Sequence, residues 1–277
     1  MTFGPLVDAA WLAGHHRDPG VRVVDLRWYL DGRSGQAAYD AGHVPGAVFV
    51  DLNAISGREP GRGRHPLPEP ALFQARMREA GVGGGTAVVV YDDAGGAVAA
   101  RLWWMLRYFG HDRAAVLDGG IQAWPGELSA VAEQPAPGDF TAAAPRAHLK
   151  LDYEAVRGLP ASTLLIDARP AERYRGESEP VDAIPGHIPG AVSAPARGNL
   201  DGDLRFRSPD ELRDRYEALG AGGGREVVVY CGSGVSACHD LLAMELAGLT
   251  GARLYPGSWS EWSSRPDAPV ATGEQVP

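Results

Sequence analysis

Residues 227–237 read Val227-Val228-Val229-Tyr230-Cys231-Gly232-Ser233-Gly234-Val235-Ser236-Ala237, and residues 88–92 read Val88-Val89-Val90-Tyr91-Asp92. Each opens on a short apolar run of the kind found in strands buried on both faces of a parallel sheet. The two runs lie 139 positions apart, and the chain around them repeats as well. Val23-Val24-Asp25-Leu26-Arg27 matches Leu165-Ile166-Asp167-Ala168-Arg169 at an offset of 142. Gly42-His43-Val44-Pro45-Gly46-Ala47-Val48 matches Gly186-His187-Ile188-Pro189-Gly190-Ala191-Val192 at 144, and Gly119-Gly120 with Trp124 matches Gly257-Ser258 with Trp262 at 138. Four matches in the same order, with offsets drifting by a few residues, are what a duplicated unit with loop insertions produces.

Within each half, strand and helix signals alternate, which predicts an α/β class with a mainly parallel sheet flanked by helices. Ser208, Pro209 and Glu211 form a helix start with a capping box over 208–219. Residues 97–109 are a strongly apolar helix stopped at Gly110, and a helical pattern runs over 235–247. The stretch 126–147 is rich in Ala, Pro, Glu and Gly without period and reads as a linker. The expected organisation is a first domain over 1–125, the linker 126–147 and a second domain over 148–277.

Composition narrows the function classes. Of 277 residues, 44% are hydrophobic and 22% charged, enough to fill a core. A formal charge of −9 argues against a partner held by phosphate contacts, so no nucleic acid is expected. No run approaches the roughly 18 apolar residues needed to span a bilayer, and Met1–Ala13 lacks the pattern of a secretory signal. Cys231 and Cys238 are the only cysteines, which makes neither a disulfide framework nor a metal site. A soluble cytoplasmic protein with free thiols and no cofactor is the expectation.

The repeat sets Cys231 against Asp92, each directly after its Val-Val-Val-Tyr strand. One half carries a thiol where the other carries a carboxylate, so a single working nucleophile, in the second half, is expected. Gly232, Ser233, Gly234, Val235, Ser236 and Ala237 are small enough to let successive backbone N–H groups turn toward one point, at the start of a helix. That arrangement favours an anion and lowers the pKa of a thiol at its lip. Cys238, seven residues on, reads as core packing. The Gly-His-x-Pro-Gly segments around His43 and His187 read as fixed bends before a strand.

At these residues the chain resembles the tandem-domain rhodanese family over nearly its whole length. The loop Cys-Gly-Ser-Gly-Val-Ser-Ala is similar to that of 3-mercaptopyruvate sulfurtransferases, with Ser236 at a usual threonine. The Gly257-Ser258-Trp259-Ser260-Glu261-Trp262 segment agrees too. The resemblance implies two rhodanese-like domains, the first inactive, and a ping-pong transfer of sulfur through a persulfide on Cys231. It implies a small-molecule donor, 3-mercaptopyruvate or thiosulfate, and a thiol, thioredoxin or cyanide acceptor. It makes Arg173 a substrate-binding residue and Ser233 a proton relay together with a first-domain histidine, assigned to His43. The second substrate-binding arginine of that family falls near Val181 and is absent here; Arg175, Arg197 or an arginine of the first half are candidates to replace it.

Rate arithmetic indicates what the loop is for. Lowering a thiol pKa from about 8.5 to about 6 raises its thiolate fraction at pH 7 roughly thirtyfold. The accompanying loss of nucleophilicity removes about tenfold again. The larger task expected of the loop is therefore to hold the persulfide anion. Two other readings compete. A phosphatase would need Cys-x5-Arg, but position 237 is alanine and no arginine follows until Arg253. A non-catalytic persulfide carrier or sensor would not require so intact a loop.

Overall fold

The computed structural model describes residues 3–274. Residues 1–2 and 275–277, the outer ends of the two expected domains, lie outside them. The chain forms two compact units. The first takes residues up to Gly57, Leu67–Arg146 and Gly202–Phe206; the second takes Arg58–Pro66, Ala147–Asp201 and the chain from Arg207 onward.

The first unit contains β1 (Leu6–Val7), α1 (Ala9–His15), β2 (Val21–Asp25), α2 (Gly35–Ala41) and β3 (Val48–Phe49). It continues with α3 (Pro70–Glu79), β4 (Ala87–Tyr91), α4 (Ala99–Tyr108) and β5 (Ala114–Leu117). Its sheet has the order β1-β5-β4-β2-β3, and every pairing is parallel. β4 is buried at every residue, as its unbroken apolar run predicts. α4 is covered nearly all round, and Gly110 follows it at φ 90°, a left-handed conformation that ends a helix without steric cost.

The second unit contains α5 (Tyr153–Arg157), β6 (Leu164–Asp167), α6 (Ala171–Arg175), β7 (Ala191–Ser193) and α7 (Pro209–Ala218). β8 (Val227–Tyr230), α8 (Ala237–Leu246), β9 (Arg253–Leu254) and α9 (Ser258–Trp262) complete it. The order is β7-β6-β8-β9, again parallel throughout. The capping box at Ser208 and Glu211 is formed as expected. Two parallel sheets flanked by helices are thus the architecture the duplicated pattern predicts.

Much of the stretch 126–147, expected as a linker, is hydrogen-bonded to the first unit. Ser129 bridges with His43 in both directions, and Gly138 and Ala143 donate to the carbonyls of Arg78 and Phe109. Phe140 is buried against Phe73. An aperiodic sequence of small residues and prolines here reflects chain laid onto the first unit rather than chain in solvent.

In register, Asp25 stands beside Tyr91, and Asp167 beside Tyr230, at the C-terminal ends of neighbouring strands. Both carboxylates are fully buried and gripped by the arginine two residues on, with Nη2 to Oδ2 at 2.6 Å in each case. The same guanidinium nitrogen donates to Gly42 O in one unit (2.8 Å) and Gly186 O in the other (2.6 Å). Tyr91 donates to Asp25 and accepts from Val44 N, and Tyr230 takes the corresponding place between Asp167 and Ile188 N. Removing one member of a buried pair leaves an uncompensated charge, at a cost of about 3–5 kcal/mol. Asp25→Ala should therefore destabilise the first unit by about that much, read as a lower denaturation midpoint in urea.

Candidate active site

β8 carries Cys231 to the C-terminal edge of its sheet, where open parallel sheets place their ligand sites. The residues after it turn into α8, whose preceding Ser236 makes no side-chain cap. In the first turn, Cys238 N and His239 N donate to the carbonyls of Val235 and Ser236. Gly234 sits at φ 74°, and a side chain there would run into Pro256 O at 2.6 Å, so only glycine closes the turn. Cys231 is buried. Its backbone N–H donates to Ser258 Oγ (3.1 Å), and its carbonyl accepts from Trp259 N (2.9 Å).

Ser258 holds a left-handed backbone, φ 54°, one of only two non-glycine residues with positive φ among those described. Such a conformation is costly for a residue with a side chain. The first unit has Gly120 at the corresponding place, with Ile121 N donating to Asp92 O as Trp259 N does to Cys231 O. Ser258 therefore carries strain that its counterpart avoids, and its hydroxyl is the group that pins the cysteine's backbone.

The counterpart loop shows what such a turn can hold. Asp92 folds its carboxylate back into the loop that follows it. Oδ1 accepts from Ala94 N and Gly96 N, and Oδ2 from Val98 N and Ala99 N, all at 2.7–2.9 Å. Burial pushes this carboxyl's pKa up while the four amides oppose the shift. Every partner is a donor, which leaves no acceptor for a carboxyl proton. At the repeat offset, those amides correspond to Ser233, Val235, Ala237 and Cys238, of which Cys238 N is engaged with Val235 O.

Ser233 pairs with a histidine, but not with the expected one. Its Oγ lies 2.9 Å from Nδ1 of His65, and both residues are buried. His43, given that role by the family resemblance, is instead a bracing residue of the first unit. Its Nδ1 faces Tyr39 O (2.8 Å), its Nε2 faces Val131 O (3.1 Å), and its ring stacks on Tyr39. His187 repeats this with Tyr174, at 2.7 Å to the carbonyl and with the same stacking. A histidine so held in both copies serves the bend.

His65 belongs to the segment Arg58–Pro66, which joins the second unit. Gly63 packs close to Gly257 O, and Arg64 N donates to Ser260 Oγ (2.9 Å). The pattern Gly61-Arg62-Gly63-Arg64-His65-Pro66 was the available signal, an arginine and a histidine on a glycine-rich turn. Its position in the first half of the chain concealed the unit it joins.

Arg173 lies on α6 and is mostly buried. Its Nε and Nη2 donate to Glu179, the latter at 2.6 Å, and Nη2 also reaches Asp182 Oδ2 at 3.1 Å. Burial pushes the Glu179 carboxyl up, but Arg173 and the Asp182 and Val181 amides bring it below the usual range. Arg64 Nη1 donates to Asp182 Oδ1 at 2.8 Å. A methyl group placed on Gly232 would stand 3.1 Å from Arg64 Nη2 and 3.7 Å from Arg173 Nη1. Of the arginines considered as replacements, Arg175 pairs with Glu177 and Glu274, and Arg197 donates to Asp201 O. Cys238 is fully buried, with Sγ on Gly234 O, and makes no disulfide.

The Rhodanese-like domain family model matches residues 8–127 and 152–265, one copy per repeat. The chain belongs to the rhodanese-like family. A Pseudomonas aeruginosa relative named "Probable 3-mercaptopyruvate sulfurtransferase" is 43% identical over 286 residues, covering 99% of this chain and all of the relative. At the same 43% identity, over 277 residues and 97% of each chain, stands the Mycobacterium tuberculosis protein SseB, provisionally named a thiosulfate sulfurtransferase. The crystal structure of the 3-mercaptopyruvate sulfurtransferase SseA from Escherichia coli superposes with a TM-score of 0.81 at 34% identity, over 93% of this chain and 99% of SseA. No helix among the described residues is long and apolar enough to cross a membrane.

Two measurements probe the rhodanese-like loops. Asp92→Ala should cost about 2 kcal/mol or more, because buried amides lose their acceptor, and urea unfolding would register it. Asp240, in the first half of α8, is buried and hydrogen-bonded to Asn199 at 2.7 Å; burial pushes its carboxyl up to about 7. A raised acid pKa means the folded state binds the extra proton between about pH 4 and 7, so stability falls as pH rises through that window. Asp240→Asn should remove that part of the slope in melts taken across the same range.

Proposed function

We propose that this protein is a sulfurtransferase that takes sulfur from 3-mercaptopyruvate onto Cys231 and passes it to a thiol or cyanide. The observation that carries the reading is the buried cysteine directly after β8, on a strand-to-helix loop whose Ser233 is hydrogen-bonded to His65. The names of the relatives support the reaction class.

In the first half-reaction the Cys231 thiolate attacks the donor's sulfur. The S–S bond forms as the C–S bond breaks, and the electron pair of the C–S bond goes to the donor carbon as an enolate. The proton that Cys231 gave up, held by His65 and relayed through the Ser233 hydroxyl, is the one the enolate needs to become pyruvate. The persulfide remains, and its outer sulfur takes the place in the loop that an Asp92 oxygen takes in the first unit. Cβ–Sγ–S and Cβ–Cγ–O reach equally many bonds from the backbone, so equivalent amides of Ser233, Val235 and Ala237 meet the charge. In the second half-reaction the acceptor, a small thiol, a thioredoxin or cyanide, attacks that outer sulfur and the Cys231 thiolate leaves.

Asp92 in place of the nucleophile makes the first unit the inactive copy. Two unbridged thiols suit a reducing, cytoplasmic setting. Thiosulfate is the second donor reading, favoured by the name of the mycobacterial relative.

Wild-type protein fed 3-mercaptopyruvate alone should gain one sulfur atom by intact mass, and cyanide should release it as thiocyanate. Cys231→Ser should abolish both steps. His65→Ala and Ser233→Ala should lower kcat by about a hundredfold while cyanide still discharges a preformed persulfide. Turnover that survives Cys231→Ser would remove the reading.

A further inference from the structure

Two guanidinium groups and one shared carboxylate stand beside the first residue of the cysteine loop. Asp182 straddles the pair, Oδ1 on Arg64 and Oδ2 on Arg173. The nitrogens Asp182 does not take, Arg64 Nη2 and Arg173 Nη1, are the ones nearest to Gly232. Gly232 is not in the left-handed region, so its backbone does not demand glycine. What a side chain there would meet is the two guanidinium groups, beginning with Arg64 Nη2 at 3.1 Å. The absent Cβ keeps open the space between the arginines and the nucleophile's own peptide.

Resting on the sulfurtransferase reading, we propose that Arg64 and Arg173 act as one clamp for the anionic end of the sulfur donor, with Asp182 as its positioning residue and charge selector. The donor must lay its sulfur on Cys231, so its charged end has to lie within a few bonds of Gly232. Two forks aimed at one spot match a planar carboxylate. The parts differ in exposure: the Arg173 and Asp182 side chains are 10% and 7% exposed, whereas Arg64 is 28% exposed. Arg173 is the seated half of the clamp, locked by Glu179, and Arg64 is the accessible arm. Nε of Arg64 is buried without a partner, so the arm is held by Asp182 and not by a second anchor.

Charge sets the preference. Arg64 and Arg173 are balanced by Glu179 and Asp182, so the clamp is formally neutral before the donor arrives. A monoanionic 2-oxo acid adds one carboxylate beside Asp182. Thiosulfate adds two charges, and the resident carboxylate repels it more. Asp182 thus offsets the preference that two bare guanidinium groups would have for a dianion, and so favours a donor with a single carboxylate.

The test measures kcat and KM for 3-mercaptopyruvate and thiosulfate, with cyanide as acceptor, in wild type, Arg64→Ala, Arg64→Lys and Asp182→Asn. Arg64→Ala should raise KM for 3-mercaptopyruvate by about tenfold or more, with Arg64→Lys recovering part of it, while cyanide discharge of a preformed persulfide stays unchanged. Asp182→Asn should shift the ratio of the two kcat/KM values toward thiosulfate by about fivefold or more. Pyruvate binding to Cys231→Ser, followed by calorimetry, should weaken when Arg64→Ala is added, a readout that does not need turnover. An unchanged KM in Arg64→Ala, or a donor ratio unmoved in Asp182→Asn, overturns the clamp while leaving the enzyme reading intact. Wild-type protein without Cys231-dependent turnover overturns that reading instead, and pyruvate binding then decides the clamp alone.

Discussion

Asp25 in one unit and Asp167 in the other end the same strand of the repeat, out of contact with water, each held by the arginine two residues on. Two charges cannot be buried there unless every lone pair and donor finds a partner. The tyrosine at the end of the neighbouring strand and the glycine carbonyl that opens the Gly-His-x-Pro-Gly bend supply those partners. Strand ends, bend and following strand are thereby locked to one another. The position after the tyrosine, Asp92 or Cys231, inherits its placement from that lock.

In the second unit the lock extends outward. Arg169 passes a second nitrogen to Glu179, Glu179 holds Arg173, and Asp182 joins Arg173 to Arg64. Arginines and carboxylates alternate from the sheet core to the cysteine loop, three of each. The first unit lacks the continuation: Ala38 precedes the stacked Tyr39 where Arg173 precedes Tyr174. The copies share the constraint that builds the edge and differ in what is attached to it. The same division explains Gly120 and Ser258. The copy with Asp92 uses the relaxed residue, and the copy with the thiol accepts a strained backbone to place a hydroxyl on Cys231 N.

Most of this was legible wherever a feature is local or repeated. The Val-Val-Val-Tyr runs, the capping box at Ser208 and the Cys231–Asp92 exchange lie in one stretch or recur at one offset. Reading failed where a residue acts across the chain. His43 took the relay role from the family resemblance, yet its motif recurs around His187, and residues shared by both copies serve what the copies share, which is the bend. His65 and Arg64 lie on a turn read as nothing in particular, because spacing along the chain does not reveal which unit an irregular segment joins. Within the stretch 126–147, read as a linker, the hydrogen bonds to the first unit were not legible either: its buried Phe140 sits among small residues and prolines and gives no period.

The two kinds of positive groups at the loop divide the chemistry. Backbone amides are fixed dipoles that need not reorganise when charge appears, so they suit the sulfur, which stays through both half-reactions. Guanidinium groups on side chains suit the donor's carboxylate, which has to leave after the first. A clamp that bound it without competition would hold the pyruvate product as firmly as the donor, and uniform binding of that sort does not raise kcat. Asp182 supplies the competition. It stays bridged to both arginines through nitrogens the donor does not use, and its negative charge beside the donor's carboxylate weakens the hold on donor and pyruvate alike.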